Sequence, residues 1–402
     1  SAIHHFKSRP GWNESEGKTV SKSISAALLG LGTVGYGVRR LLEENRGINI
    51  EIKKILVRQP EKHGDIDPGL LTTDLDGIIS DPGIELVIEA MGAGAFGYAA
   101  IRRSLVSGKS VITADKEIVA RHLPELSTLA EARDARFYFE AAAGGAVPVI
   151  RNLLAIRKYD RVESVAGIVN GTANYILTQM FRRDIDFASA LAAAREAGFA
   201  EADPEDDVSG IDSARKIAIL AALAYDVFVP SEHIYRYGIA NITKEDIAFI
   251  KSIGRVVKLI AFARRRGETI EIGVEPTLVH GDGVFAGVED EDNAIFIEGK
   301  ASGNLGFSGK GAGRYPTAAA VLSDCLAYRE GVKSFVFRED DGISFASPER
   351  GQYYLRVADP AAIPNFLISM RRGNHIITGE IDWRILARLA DNVAFCGKIM
   401  NI

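Results

Sequence analysis

The stretch Ile24-Ser-Ala-Ala-Leu-Leu29 runs directly into Gly30-Leu31-Gly32-Thr33-Val34-Gly35, and Val34 to Glu44 continues with an apolar stripe at helical spacing. A second apolar run, Ile50 to Val57, follows. A strand, a tight glycine turn, a helix and a second strand in that order predict a β-α-β unit. Each glycine then has a task. Gly30 permits the turn, Gly32 lets the backbone approach a pyrophosphate, and Gly35 lets helix and strand pack closely. The helix N-terminus, with Thr33 and Val34 in its first turn, faces the anion. The fingerprint alone is weak, and its strand–turn–helix context is what makes it a dinucleotide site. The second strand ends in Leu56-Val57-Arg58-Gln59, with Lys62 and His63 close behind. An NAD-selective site would carry a carboxylate there, whereas an arginine suits a 2′-phosphate, so NADP is favoured over NAD. Arg58 also reads as a plain surface arginine.

The alternation continues through Leu86-Val-Ile-Glu-Ala-Met91, Ser110-Val-Ile-Thr-Ala114 and Phe137-Tyr-Phe-Glu-Ala141, each preceded by a helical stretch. This predicts an α/β, Rossmann-type domain over residues 23–150, completed by a helix within 311–330. Past Pro148, helix-like segments (149–157, 172–183, 187–197, 211–226, 244–251) mix with strand-like ones (163–169, 255–263, 270–279, 292–298), so 151–310 reads as an α+β domain. Gly306 to Gly313 reads as a glycine-rich loop leading to an apolar helix over 317–327. Residues 334–402 hold further strand-like runs and form a short C-terminal tail domain, while the polar residues 1–22 read as a loose extension.

Composition narrows the function classes. The 402 residues suffice for two or three domains with a large core. A net charge of −5, with both signs interspersed, gives no footprint for nucleic acid or an anionic membrane. The longest apolar stretch, Ile217 to Tyr225, is far short of a bilayer span. Cys325 and Cys396 cannot build a disulfide framework or a multi-cysteine metal site, which fits a reducing compartment. The expectation is a cytoplasmic protein whose partner is a small molecule.

The most telling segment is Glu201-Ala-Asp-Pro-Glu-Asp-Asp-Val-Ser-Gly-Ile-Asp212, followed by Lys216. It opens a helix that is otherwise almost wholly apolar, and such a helix is buried. Asp212 and Lys216 stand at i and i+4 on one face that continues through Ile219, Leu220 and Leu223. A carboxylate and an ammonium leading into a core suit a small zwitterion or a proton transfer. The bland reading is a solvated surface pair worth a few tenths of a kcal/mol. Calcium does not fit, because Pro204 interrupts the run and Gly210 comes too late.

Taken together, GLGTVG (30–35), VITADKEIVA (111–120), FEAAAGGAVPVI (139–150), GIVNGTANYIL (167–177), AGFAEADPEDDVSGIDSARKIAILA (197–221), VVKLIA (256–261) and GKGAGRYPTAAAVLSD (309–324) resemble the homoserine dehydrogenase family over roughly residues 24–330. That resemblance implies NAD(P)-dependent interconversion of L-homoserine and L-aspartate 4-semialdehyde, on the route to threonine, methionine and isoleucine. It implies that Lys216 handles the hydroxyl proton, that Lys116 is a second active-site lysine near both nicotinamide and substrate, and that Glu201 and Asp212 hold the substrate, chiefly its ammonium. Asn170, Gly171 and Thr172 match the turn beside the nicotinamide and are expected to bind substrate, and Thr113 and Gly313 fall on further cofactor contacts. Glu140, Ala143, Gly145 and Val147 match a segment that in some relatives holds a monovalent cation, mainly through backbone oxygens. The second domain would be catalytic and would build a homodimer or tetramer, with 163–169 and 270–279 forming a sheet across a two-fold axis.

Physical chemistry agrees with these roles. Hydride leaves C4 of homoserine as its hydroxyl loses a proton, which calls for a base within hydrogen-bond reach. Two lysines converging on one oxygen should depress each other's pKa. Each residue also has a bland alternative: Lys116 a solvated loop lysine, Glu201 a helix-turn acid, Asn170-Gly171 a turn with Thr172 as N-cap, Glu140 a buried carboxylate satisfied by backbone donors. Three departures from the family stand out. Asp115 replaces the usual asparagine and should raise the Lys116 pKa. Met91-Gly-Ala-Gly-Ala-Phe-Gly97 replaces the usual wall near the cofactor. Residues 350–402 begin like an amino-acid-binding regulatory domain but are expected to be too short to complete it, giving a truncated remnant packed against the core with weak or absent feedback inhibition. The competing readings are a related dehydrogenase on another amino or hydroxy acid, and a catalytically idle metabolite-binding paralogue.

Overall fold

A computed structural model describes residues 23–400 apart from Ala93, Asp341 and Glu349, so the expected N-terminal extension lies outside the described residues. The chain opens with β1 (Ile24–Leu29), α1 (Thr33–Glu44), β2 (Ile50–Leu56), β3 (Leu71–Thr72), α2 (Leu75–Ser80), β4 (Leu86–Glu89), α3 (Ala95–Val106), β5 (Ser110–Thr113), α4 (Lys116–Ala132) and β6 (Phe137–Tyr138). The six strands pair in parallel in the order β3-β2-β1-β4-β5-β6. This is the Rossmann order, and its crevice opens where the winding reverses between β1 and β4. Strands β4 and β5 are buried at every position, which explains their unbroken apolar runs. The glycine turn closes as its chemistry requires. A Cβ on Gly35 would stand 2.1 Å from the Gly30 carbonyl oxygen, and Gly30 has φ +93° and abuts the Ala90 carbonyl.

The chain continues through α5 (Ala141–Gly144), α6 (Val149–Ile156), β7 (Val162–Ile168), α7 (Gly171–Arg183), α8 (Phe187–Glu196), α9 (Glu205–Val208), α10 (Ile211–Tyr225), β8 (Tyr235–Arg236), α11 (Lys244–Ser252), β9 (Arg255–Arg266), β10 (Thr269–His280), β11 (Asp292–Gly299), β12 (Gly303–Lys310) and α12 (Arg314–Arg329). Strands β12-β11-β7-β9-β10 form an antiparallel sheet. Helix α10 is buried along almost its whole length, Asp212 and Lys216 included. Helix α12 returns to the first sheet: Ala318, Val321, Leu322 and Cys325 pack with Leu28, Val38, Leu86 and Ile112.

Two expectations need correction here. Most of the glycine-rich stretch taken as a loop is strand β12. Gly306 fits there because it has no side chain: a Cβ would come within 2.7 Å of the Phe296 ring. Segments 163–169 and 270–279 cannot build a sheet across a two-fold axis, because β7 lies between β11 and β9, and β10 lies between β9 and the C-terminal strands. At this end the sheet terminates in β12.

The remainder holds β13 (Ser344–Ala346), β14 (Arg350–Val357), β15 (Ile368–Arg372), β16 (His375–Asp382), α13 (Trp383–Arg388) and β17 (Val393–Ile399). Four of these strands are ordered β17-β14-β16-β15, a complete βαββαβ-type arrangement with its first helix reduced to short 3-10 turns at Pro360–Ala362 and Asn365–Leu367. The region therefore lacks helix rather than strands. It is fastened to the second domain by β17 alongside β10 and by Asp246 of α11, which is fully buried and accepts from Tyr354 Oη and from Arg356 Nε at 3.0 Å.

Candidate active site

A cleft of about 690 Å³ lies at the C-terminal ends of the first sheet's strands, lined by Gly30, Gly32, Arg58, His63, Thr73 and the 90–97 segment. The N-termini of α1 and α3 both meet it, supplying unpaired backbone amides for an anion. Nothing lies within 4 Å of the place a Gly32 Cβ would occupy, so backbone is open to a ligand there. Arg58 is exposed just past β2 and, among the described residues, has no ion-pair partner. These features fit a dinucleotide. Of the residues expected to touch it, Gly30, Gly32 and Arg58 line the cleft, Thr33 and Val34 form the first turn of α1, and Gly35 is a packing glycine. Thr113, Lys116 and Gly313 are not among its lining residues. Thr113 is wholly buried, its hydroxyl given to Glu89, and Gly313 precedes α12.

The second half of the site is assembled by one carboxylate. Lys216 Nζ lies 2.8 Å from Asp212 Oδ2 and donates to the Val169 carbonyl at 2.6 Å, while Lys116 of α4 forms an ion pair with Asp212 Oδ1. Asp212 and Lys216 are buried, whereas the Lys116 side chain is 41% exposed. Burial drives the Lys216 pKa below its ordinary value more strongly than Asp212 holds it up, and Lys116 pushes it further down. For Lys116 burial also pulls downward, but Asp212 wins and the net shift is upward. For Asp212, burial favours protonation, but the two ammoniums outweigh it and hold the carboxyl well below the usual range. The mutual depression expected of the lysines therefore holds for Lys216 only.

Asp115 is the N-cap of α4, accepting from Glu117 N and Ile118 N at 2.9 Å. An asparagine would cap equally well. The upward pull on Lys116 comes chiefly from Asp212, with Asp207 adding to it, while Asp115, whose own carboxyl Lys116 pulls downward, is a lesser partner than expected.

Asn170 caps α7 through its Oδ1, while its Nδ2 donates to Asp212 Oδ2 at 2.8 Å and to Asp207 Oδ1 at 2.7 Å. Asp207 was not singled out from the sequence. It is one of four carboxylates between Glu201 and Asp212, and nothing in their spacing says which turns inward. Burial raises its pKa. Thr172 is not the N-cap, and its hydroxyl donates to the Phe199 carbonyl at 2.6 Å. Gly171 permits the close approach of Glu291, whose carbonyl oxygen would lie 2.7 Å from a Cβ. Glu201 is exposed and without an ion-pair partner among the described residues, and Arg195 steadies its loop by donating to the Ala202 carbonyl at 3.0 Å.

The cation segment reads differently in three dimensions. Both Glu140 carboxylate oxygens accept from the first turn of α6, Ile150 N and Arg151 N, each at 2.9 Å. Ala143, Gly145 and Val147 bring backbone oxygens, of which the Val147 carbonyl accepts from Val149 N at 2.8 Å, and among the described residues no cluster of three His, Cys, Asp or Glu side chains is present. No chemistry is routed through a cation.

Sequence profiles of the homoserine dehydrogenase family match this chain over residues 148–326, and over 30–140 for the family's NAD-binding domain. A homoserine dehydrogenase of Bacillus subtilis is 39% identical over 351 residues, covering 85% of this chain and 79% of the relative. The chain belongs to the homoserine dehydrogenase family. A homoserine dehydrogenase of Corynebacterium glutamicum is 40% identical over 79% of this chain and 74% of its own length. A crystal structure of a homoserine dehydrogenase from Thiobacillus denitrificans superposes with a TM-score of 0.86 at 32% identity, covering 94% of this chain and 98% of that one. Coverage that broad takes in the C-terminal strands as well. As a member of this family the chain is an oxidoreductase with an NAD(P)-binding domain. Among its described residues no helix is long and apolar enough to cross a membrane.

Proposed function

We propose that the chain oxidises L-homoserine at C4 to L-aspartate 4-semialdehyde, with NADP preferred to NAD, and that Lys216 and Lys116 divide the proton chemistry between them. The observation that carries this reading is the grip of Asp212 on both lysines, which pushes their pKa values apart. Titratable pairs driven apart in this way mark acid and base roles. Bound NADP supplies the acceptor for the hydride leaving the carbinol carbon.

Lys216, depressed by burial, reaches its neutral form more easily and takes the hydroxyl proton. In the reverse direction it returns that proton to the developing alkoxide. Lys116 stays protonated and directs a hydrogen bond at the same oxygen. Glu201, unpaired at the mouth, and Asp207 receive the substrate ammonium. Asn170 holds Asp207 and Asp212 in place so that both carboxylates face the substrate. The 2′-phosphate falls to Arg58, an unpaired arginine at the strand end where the ribose lies in this fold. Self-association as a homodimer or tetramer is part of the proposal, with the terminal strand β12 available for it.

The test is a panel of initial rates, with L-homoserine and other amino and hydroxy acids each reducing NADP and NAD. The highest kcat/KM should belong to homoserine with NADP. A different best substrate favours the related-dehydrogenase reading, and no turnover with any substrate favours an idle paralogue.

A further inference from the structure

Glu89 is the last residue of β4, wholly buried at the point where the first sheet's winding reverses, and no step above uses it. Its carboxylate reaches two loops at once. Oε1 accepts from Met91 N at 2.7 Å, with Gly92 N as a further donor, and these residues belong to the wall of the dinucleotide cleft. Oε2 accepts from Thr113 Oγ1 at 2.5 Å. The same Thr113 oxygen accepts from Asp115 N at 3.0 Å, and Asp115 caps the helix whose first residue is Lys116. The third neighbour, α3, offers only Gly97, where a Cβ would come 3.9 Å from Glu89 Oε1 and 3.2 Å from the Gly92 carbonyl oxygen. One buried carboxylate therefore bridges the cofactor wall on one side and the lysine-bearing turn on the other.

We propose that Glu89 is a positioning residue that fastens the wall of the dinucleotide cleft to the turn carrying Lys116. The proposal rests on reading that cleft as the cofactor site. Covering a carboxylate this completely is costly, and a purely apolar contact would fill the same space without that cost. What the carboxylate adds is three directional acceptor bonds to two separate loops. Burial lifts its pKa to about 7, and Asp115 adds to the rise, while Thr113 and the two amides work against it. Asp115 is the charged group that bears on it. The contacts from β5, the 91–92 turn and α3 are neutral. Below that pKa the added proton weakens Glu89 as an acceptor and slackens its hold on the loops. Ionised Glu89 holds both loops, so cofactor binding tightens as pH rises through neutrality.

The experiment measures NADPH affinity by nicotinamide fluorescence, together with kcat, between about pH 6 and about pH 8.5, for wild type, Glu89→Gln, Thr113→Val and Thr113→Ser. In Glu89→Gln the NADPH Kd should rise and kcat fall, each about tenfold on the alkaline side, and the wild-type break near neutrality should disappear. Thr113→Val should move both in the same direction by less, with Thr113→Ser restoring them. A Glu89→Gln enzyme that keeps wild-type Kd, kcat and pH break overturns the proposal, even with a lowered Tm. If Glu89→Gln does not fold, Thr113→Val decides: wild-type values overturn the proposal, and a loss rescued by serine supports it. Wild-type enzyme that binds neither NADPH nor NADH overturns the cleft reading, and the proposal with it.

Discussion

Asp212 and Lys216 stand one turn apart on α10, 2.8 Å from oxygen to nitrogen, and Lys116 of α4 takes the other oxygen of the same carboxylate. Because Asp212 is buried and holds its proton far less tightly than usual, its ionised form stabilises the fold. A depressed carboxyl contributes stability that is present above its unfolded pKa and lost as pH falls through the folded one.

Asp212→Asn leaves Lys216 as a buried charge without its counter-ion. The expected loss is about 3–5 kcal/mol near neutral pH, read by denaturant unfolding. The deficit should shrink in alkali, where Lys216 sheds its proton. A loss below about 1 kcal/mol would place this pair in the class of weak surface contacts.

Arg58 should govern the choice of cofactor. In Arg58→Ala, kcat/KM for NADP should fall at least about tenfold while that for NAD changes little. Equal losses with both cofactors would show that Arg58 does not read the phosphate.

The two fingerprint glycines should fail in different ways. Gly32→Ala has open space for its methyl group, so Tm should hold while cofactor affinity drops. Gly35→Ala drives a methyl group into the Gly30 carbonyl and should cost at least about 1–3 kcal/mol. Thermal melts and cofactor titrations on both variants separate the effects, and matching profiles would refute the division of roles.

The C-terminal strands are held by Asp246 rather than by the active site. Asp246→Ala strands Arg356 and Tyr354 and should destabilise by about 3–5 kcal/mol, with kcat per folded molecule within about twofold of wild type. A collapse of kcat at unchanged stability would instead tie this contact to catalysis.

Much of this was legible in the sequence because it is local. The Gly30–Gly35 turn, the apolar period of α1 and the unbroken runs of β4 and β5 announce the Rossmann half, and a charged pair opening an apolar helix announces α10. What escaped depends on distant partners. Strand β12 exists because it pairs with β11 along its whole length, with the Phe296 ring over Gly306, which no local rule for glycine anticipates. The order of the C-terminal strands is set by pairing across more than one loop. Asp207 and Glu89 are acids among many, and only the folded chain turns the first toward Asn170 and shuts the second between two loops.

The most direct test of the central claim is the pH dependence of kcat/KM for homoserine in wild type and Lys216→Met. Wild type should gain activity through a pKa below that of free lysine, as the Lys216 amine deprotonates. The variant should lose that limb along with at least about a hundredfold in rate, while binding NADPH nearly as well as wild type. A variant that keeps the limb, or stays within about tenfold of wild type, would show that the proton passes through another group.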